Sequence, residues 1–378
     1  MDFSEFGVSS KEWLAFIAEN PAAAQDGLNG NDPLQALELR DATNATREIA
    51  SAKLVDESGL REKVNISTLY INSRGSHSIP LRRYMPRSLK RESSLPAIIY
   101  FHGGGFLFGS ESTDDFLCAN IAASLGVIVL SVIYRHTPEF QHPAQHEDAW
   151  DAMVYIEGHM EAFNIDENVG LGVLGISAGS GLAAGVVFRD LEASRAQPDR
   201  EPMIKSAVLG IPWLIHVDNY PFHLFSSPEI TAKVQCRDAP VIPRDRLKMF
   251  SDILSAKNPS DALLNIATLP DELLRGWPRT GFFVAGMDPL RDDGLLFAKK
   301  LELLRTPTAV HLFPGLPHGF RRWPDLLACK AFDSRMMDYL RGAMELESEA
   351  EIDGHGLGNT VGWHVYEGQD GIITTNRF

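Results

Sequence analysis

Cysteine is scarce in this sequence: Cys118, Cys236 and Cys329 are the only three in 378 residues. Three scattered thiols cannot make a disulfide framework, and their spacing fits no zinc-ligand pattern. Reduced thiols in a cytosol are the expected state. Positive charge is also short: 35 Lys and Arg stand against 50 Asp and Glu, a net charge of −15. That balance excludes a nucleic-acid surface, which needs clustered Lys and Arg. The two small basic clusters, LRRY at 81–84 and RSLKR at 87–91, read as solvated turns between strands. Long apolar runs are absent as well. Nothing approaches the roughly 18 residues of a membrane span. The N-terminus carries acids where a secretory signal would carry a basic start and an apolar run. No integral membrane span is expected, and the chain reads as cytoplasmic. Without a secretory signal, the sequons at Asn44 and Asn65 read as chance matches.

What is present is a regular alternation. To about residue 60 the pattern is helical, with Trp13, Leu14 and Ile17 on one face of the first helix. Strand-like segments follow at 64–71, 79–85 and 96–102. Five more, at 126–134, 170–177, 206–214, 280–287 and 308–314, alternate with helical stretches. These five are rich in β-branched residues and apolar on both faces, as in a parallel sheet covered on both sides. The expectation is an α/β fold, a mostly parallel twisted sheet of about eight strands with helices on both faces. Two stretches break the alternation: 1–60, and 215–278, which is too apolar for disorder and too long for a plain connection. Both read as parts of a helical cap over the C-terminal edge of the sheet. That assigns 61–214 and 279–345 to the core and leaves 346–378, a glycine-rich tail, without a role.

The sharpest local signal is GISAG at 175–179, between a strand pattern and a helix pattern. A serine on such a tight turn is strained, and its flanking glycines are required where a side chain would strike the neighbouring strand or helix. The turn lifts the Ser177 hydroxyl out of the sheet, towards the positive end of the following helix. Ser180 reads as an ordinary helix N-cap. A serine nucleophile needs a base, and the base needs an orienting carboxylate. Both are expected later in the chain, acid first, each at the end of a strand. Asp288 follows the strand pattern at 280–287, and His318 follows the one at 308–314. Asp292 and Asp293 compete for the acid role but sit about a turn later, where acids start a helix. Asp288 is preferred.

The remaining histidines have plainer readings. His102 braces the adjacent glycines, and His311 belongs to a strand. His136, His142 and His146 cluster without the spacing of a metal site. His216 and His223 fall in the cap. Gly103, Gly104 and Gly105 then find their reason. An attacked carbonyl becomes an oxyanion, and backbone N–H groups aimed at it stabilise it by roughly 3–4 kcal/mol per donor. Glycine alone adopts the needed backbone angles freely and lets substrate approach. Gly103–Gly105 and the amide of Ala178 are the expected donors, forming an oxyanion hole.

The motifs HGGGF (102–106), YRHTPEFQHPAQHEDA (134–149), GISAG (175–179), AGMDPLRDDG (285–294) and PGLPHGF (314–320) together resemble the hormone-sensitive-lipase-like branch of the α/β-hydrolases, with a flavour similar to fungal esterases of natural-product metabolism. The resemblance implies the α/β-hydrolase fold with a two-part cap and a carboxylesterase acting on small-molecule esters. It implies no cofactor and no metal. Two departures stand out: Ile176 replaces the usual Asp before the nucleophile, and Gly179-Ser180-Gly181 replaces the usual Gly-Gly-Asn. Phe106, Trp213, Phe222, Phe225 and Phe250 are candidate lining for an apolar acyl pocket. Ser177, Asp288 and His318 would equally serve a pathway-dedicated acyl hydrolase or acyltransferase. A non-catalytic binding protein on this scaffold would be expected to have lost one of them. The expected assembly is a monomer or homodimer.

Overall fold

The β-branched segments form strands where the spacing predicts them. The structure is a computed structural model that describes residues 1–24, 33–75, 77–87, 94–197, 199–346, 361–368 and 372–375. Eight strands come from the stretch already read as strand-forming: β1 Val64–Asn72, β2 Ser78–Pro86, β3 Ala97–Phe101, β4 Ile128–Val132, β5 Leu171–Ile176, β6 Ile204–Gly210, β7 Arg279–Met287 and β8 Thr308–Pro317. The tail adds β9 Gly362–Tyr366 and β10 Ile372–Thr375, so the sheet has ten strands rather than about eight. The order is β1-β2-β4-β3-β5-β6-β7-β8-β9-β10. Pairing is antiparallel for β1–β2, β2–β4 and β9–β10, and parallel from β4 through β9.

Alternation along the strands fills both faces. In β3, Ile99 and Phe101 face one core layer while Ile98 and Tyr100 face the other; in β7, Phe282 and Val284 alternate with Phe283 and Ala285 in the same way. The helices Ala144–Glu157, Ala178–Ala196 and Arg291–Leu303 cover the first layer. Lys11–Glu19, Asp115–Leu125 and Leu327–Ala343 cover the second. In the first helix, Trp13 stacks on Phe16 and packs against Trp323, but Leu14 is exposed. Neighbours in sequence lie about 100° apart on a helix, so Leu14 leaves the stripe.

The basic cluster at 81–84 is not a solvated turn. It lies inside β2, with Leu81 and Tyr84 buried and Arg82 bound by both carboxylate oxygens of Asp115 at 2.7 Å. Of the second cluster, residues 88–91 lie outside the described residues, as does 347–360 of the tail. No helix among the described residues is long and apolar enough to cross a membrane.

The chain order sets the site. β4 lies to one side of β3 and β5 to the other, so connections leave in opposite directions between β3 and β5. A crevice opens at the carboxyl ends of strands at such a switch point. The Gly103–Gly105 loop follows β3 and Ser177 follows β5, one on each side of it.

Candidate active site

Ser177 sits between β5 and the helix Ala178–Ala196 with φ 55° and ψ −119°, a conformation that side chains rarely adopt. Its N–H donates to the Gly210 carbonyl of β6 at 2.7 Å, and its carbonyl receives the Trp213 N–H at 3.3 Å. The flanking glycines are needed for space. A Cβ on Gly175 would strike the Gly179 backbone, and one on Gly179 would strike the Phe101 carbonyl. Ser180 is not the N-cap. It lies inside the helix, and its hydroxyl donates to the Gly175 carbonyl at 2.7 Å, with the Gly210 carbonyl at 3.0 Å. That hydroxyl ties the helix start to β5 and β6. Ile176 packs its side chain over Gly210, so apolar contact braces the elbow where an Asp is usual.

His318 Nε2 lies 3.0 Å from Ser177 Oγ, and His318 Nδ1 lies 2.7 Å from Asp288 Oδ2. A carboxylate can only accept, so Nδ1 carries the proton and Nε2 offers its lone pair to the serine hydroxyl. Asp288 is fully buried, and its second oxygen accepts the Leu290 N–H at 2.8 Å. Ser177 and His318 are buried but not fully enclosed, 5% and 7% exposed.

Asp292 and Asp293 do more than start a helix. Asp292 receives the Tyr220 hydroxyl and the Ala232 N–H, and pairs with Arg291 at 2.8 Å. Asp293 receives the amides of Leu214 and Ile215 and the Lys233 ammonium at 3.2 Å. Burial pushes the Asp293 carboxyl up to about 6, with Lys233 opposing the shift. These two acids anchor the segment after β6 to the loop that carries Asp288. No local pattern announces that pairing, because Tyr220 and Lys233 lie 72 and 60 residues from Asp292 and Asp293.

Gly104 and Gly105 have φ of 135° and 62°. The Gly104 carbonyl receives the N–H of Leu107 and Phe108, which turns the Gly105 amide the opposite way. A Cβ on Gly103 would press on the Ile176 carbonyl, and one on Gly105 would enter the Phe250 ring. Among the described residues, the amides of Gly103, Gly104, Gly105 and Ala178 have no acceptor.

Of the five aromatics, Phe250 lies on Gly105, and Phe106 packs on Trp213 at 5.6 Å between ring centres. Trp213 reaches the elbow through its own backbone. Phe222 and Phe225 are placed differently: they pack on Tyr220, and Phe225 also meets Phe3 edge-on. Anchoring of Tyr220 on Asp292 draws that stretch towards the N-terminal segment, and Phe222 is left 41% exposed.

His102 is buried against Tyr134 at 4.3 Å, and the two Nε2 atoms of His102 and His136 are 3.3 Å apart. Burial holds the His102 imidazole down to about 4 and His136 below its ordinary range. His216 hydrogen-bonds Ser251 at 2.9 Å inside the segment after β6, and His223 is exposed.

Known proteins resemble this chain in sequence and in fold. An ethyl acetate hydrolase of Pseudomonas putida is 29% identical over 300 residues, covering 78% of this chain and 87% of its own. A versiconal hemiacetal acetate esterase of Aspergillus parasiticus is 28% identical over 263 residues, covering 70% of this chain and 75% of its own. The crystal structure of vibralactone cyclase superposes with a TM-score of 0.78 at 23% identity, covering 90% of this chain and 96% of that one, a likeness of fold. The profile of the alpha/beta hydrolase fold matches residues 98–322, more than half of the sequence and every motif from the glycine loop to His318, and the chain belongs to that family.

Proposed function

We propose that this protein is a carboxylesterase that cleaves small-to-medium apolar esters through Ser177, His318 and Asp288. The observation that carries the reading is the unbroken chain of contacts from Asp288 Oδ2 to His318 Nδ1 and from His318 Nε2 to Ser177 Oγ. His318 takes the Ser177 proton as Oγ bonds to the ester carbonyl carbon. The carbonyl electrons move onto oxygen, where the amides of Gly103, Gly104, Gly105 and Ala178 receive the charge. Collapse breaks the bond to the alcohol, which leaves with the proton from His318. Water then attacks the acyl-enzyme by the same route and releases the acid. Asp288 stabilises the imidazolium without taking its proton. Esterase and hydrolase names among the relatives support the same chemistry.

We read the segment 215–278, with the helix Pro33–Glu57, as the cap. Phe250 over Gly105 gives the acyl side of the pocket an apolar wall. A role in secondary metabolism is a second reading, favoured by the likeness to the Aspergillus acetate esterase. Cys118, Cys236 and Cys329 are buried free thiols, which supports a reducing compartment such as the cytoplasm.

Hydrolysis of p-nitrophenyl acetate, butyrate, octanoate and laurate by the wild type and Ser177→Ala tests the proposal. Turnover should fall at least about a thousandfold in the variant, and short chains should be preferred over laurate. Absence of turnover on every ester by a folded wild type would overturn it.

A further inference from the structure

The glycine loop is held from outside by the long helix Pro33–Glu57. Asn44 Oδ1 accepts the Gly109 N–H at 2.9 Å, and Asn44 Nδ2 donates to the Gly109 carbonyl at 3.0 Å. One amide side chain, donor and acceptor at once, therefore fixes both backbone groups of one residue. Gly109 has φ 127°, a conformation other residues rarely adopt, and a Cβ there would run into the His102 ring. That ring stacks on Tyr134, whose hydroxyl binds the His102 carbonyl at 2.8 Å, and its Nδ1 lies 3.1 Å from the Gly103 carbonyl. The path from Asn44 to the glycine amides thus has no gap: Asn44, Gly109, His102, Gly103.

We infer that Asn44 is a positioning residue, clamping Gly109 so that His102 seats the Gly103–Gly105 amides at the place where the oxyanion forms. This inference rests on the ester hydrolysis proposed above. Donors stabilise a developing charge only when their direction is fixed before the reaction, and small displacements cost rate rather than binding. Asparagine is a poor choice for the middle of a helix, since it competes for the backbone. Its two bonds to Gly109 give it a reason to be there. The same helix also docks further along, where Ser51 Oγ accepts the Phe116 N–H at 2.9 Å without touching the glycine loop.

The test measures kcat and KM on p-nitrophenyl butyrate, the rate at which a fluorophosphonate modifies Ser177, and the melting temperature. It compares the wild type with Asn44→Ala, Asn44→Asp and Ser51→Ala. Asn44→Ala should lower kcat about tenfold or more, leave KM within about twofold, and slow phosphonylation in parallel. Asn44→Asp, which keeps only the acceptor, should fall between. Ser51→Ala should lower the melting temperature without the loss in kcat. An unchanged kcat in Asn44→Ala, or an equal loss in Ser51→Ala, would overturn the inference while leaving the hydrolase reading intact. A wild type inert to both the ester and the fluorophosphonate would overturn both.

Discussion

Three acids within six residues compete for one histidine, and their surroundings separate them. Asp288 faces His318 at 2.7 Å, whereas Asp292 and Asp293 face away, into Tyr220, Ala232, Lys233 and the amides of Leu214 and Ile215. Asp288→Asn should lower kcat about 10⁴-fold with little change in melting temperature, because the amide favours the wrong imidazole tautomer. Lys233→Ala should do the reverse. It leaves Asp293 buried without its cation, which costs about 3 kcal/mol in a urea titration while the contacts of His318 survive. The order serine, acid, histidine was legible because each follows a strand, a rule of backbone position. The tasks of Asp292 and Asp293 were not, since they depend on partners brought in by the segment after β6. Gly105, like Ser177, stands just after a strand in a conformation that disfavours side chains. Gly105→Ala should abolish most turnover, as φ 62° and the Phe250 ring both resist a methyl group.

At the scale of elements, the β-rich core could be read from periodicity while its edges could not. β3 to β8 are apolar on both faces, and that pattern survives any detail of packing. The tail that forms β9 looks like loop in sequence, with glycines and scattered aromatics. Its structure comes from the edge of β8, which offers unpaired backbone groups and a place for Trp363. Trp363 is 2% exposed, stacks near Phe3 at 6.3 Å, and donates to Glu302 at 2.7 Å. Tyr366 reaches Glu12 at 2.9 Å, so the tail joins the N-terminal segment as well as the sheet. Trp363→Ala should destabilise the protein by about 3–5 kcal/mol. The loss is read as a lower urea midpoint, with kcat/KM at 25 °C unchanged, since none of these contacts touches Ser177 or His318.

Across the whole molecule, burial sets a common response to acid. His102, His136, His142, His146, His216 and His311 are all held below the ordinary imidazole value of 6.5, with burial the first cause in each. A depressed folded value means that the unfolded chain binds more protons. The stabilisation is present above about pH 6.5 and is lost as pH falls towards the folded values, about 4 for His102. Asp293, raised to about 6, works in the opposite direction over part of the same window. Glu302, also raised by burial, acts in the same sense as Asp293, and two carboxyls do not offset six imidazoles. The urea midpoint should therefore be highest at neutral pH and fall steadily between pH 6.5 and 4. His311 isolates the cause. It lies between Phe283 at 4.5 Å and His364 at 5.0 Å, and among the described residues neither of its ring nitrogens has a hydrogen-bond partner. His311→Phe keeps a ring in that stack and removes one proton-binding group. At pH 7.5 its midpoint should match the wild type or exceed it, and at pH 5 it should exceed it by more. An equal offset at both pH values would mean that His311 contributes packing alone and that the acid response arises elsewhere.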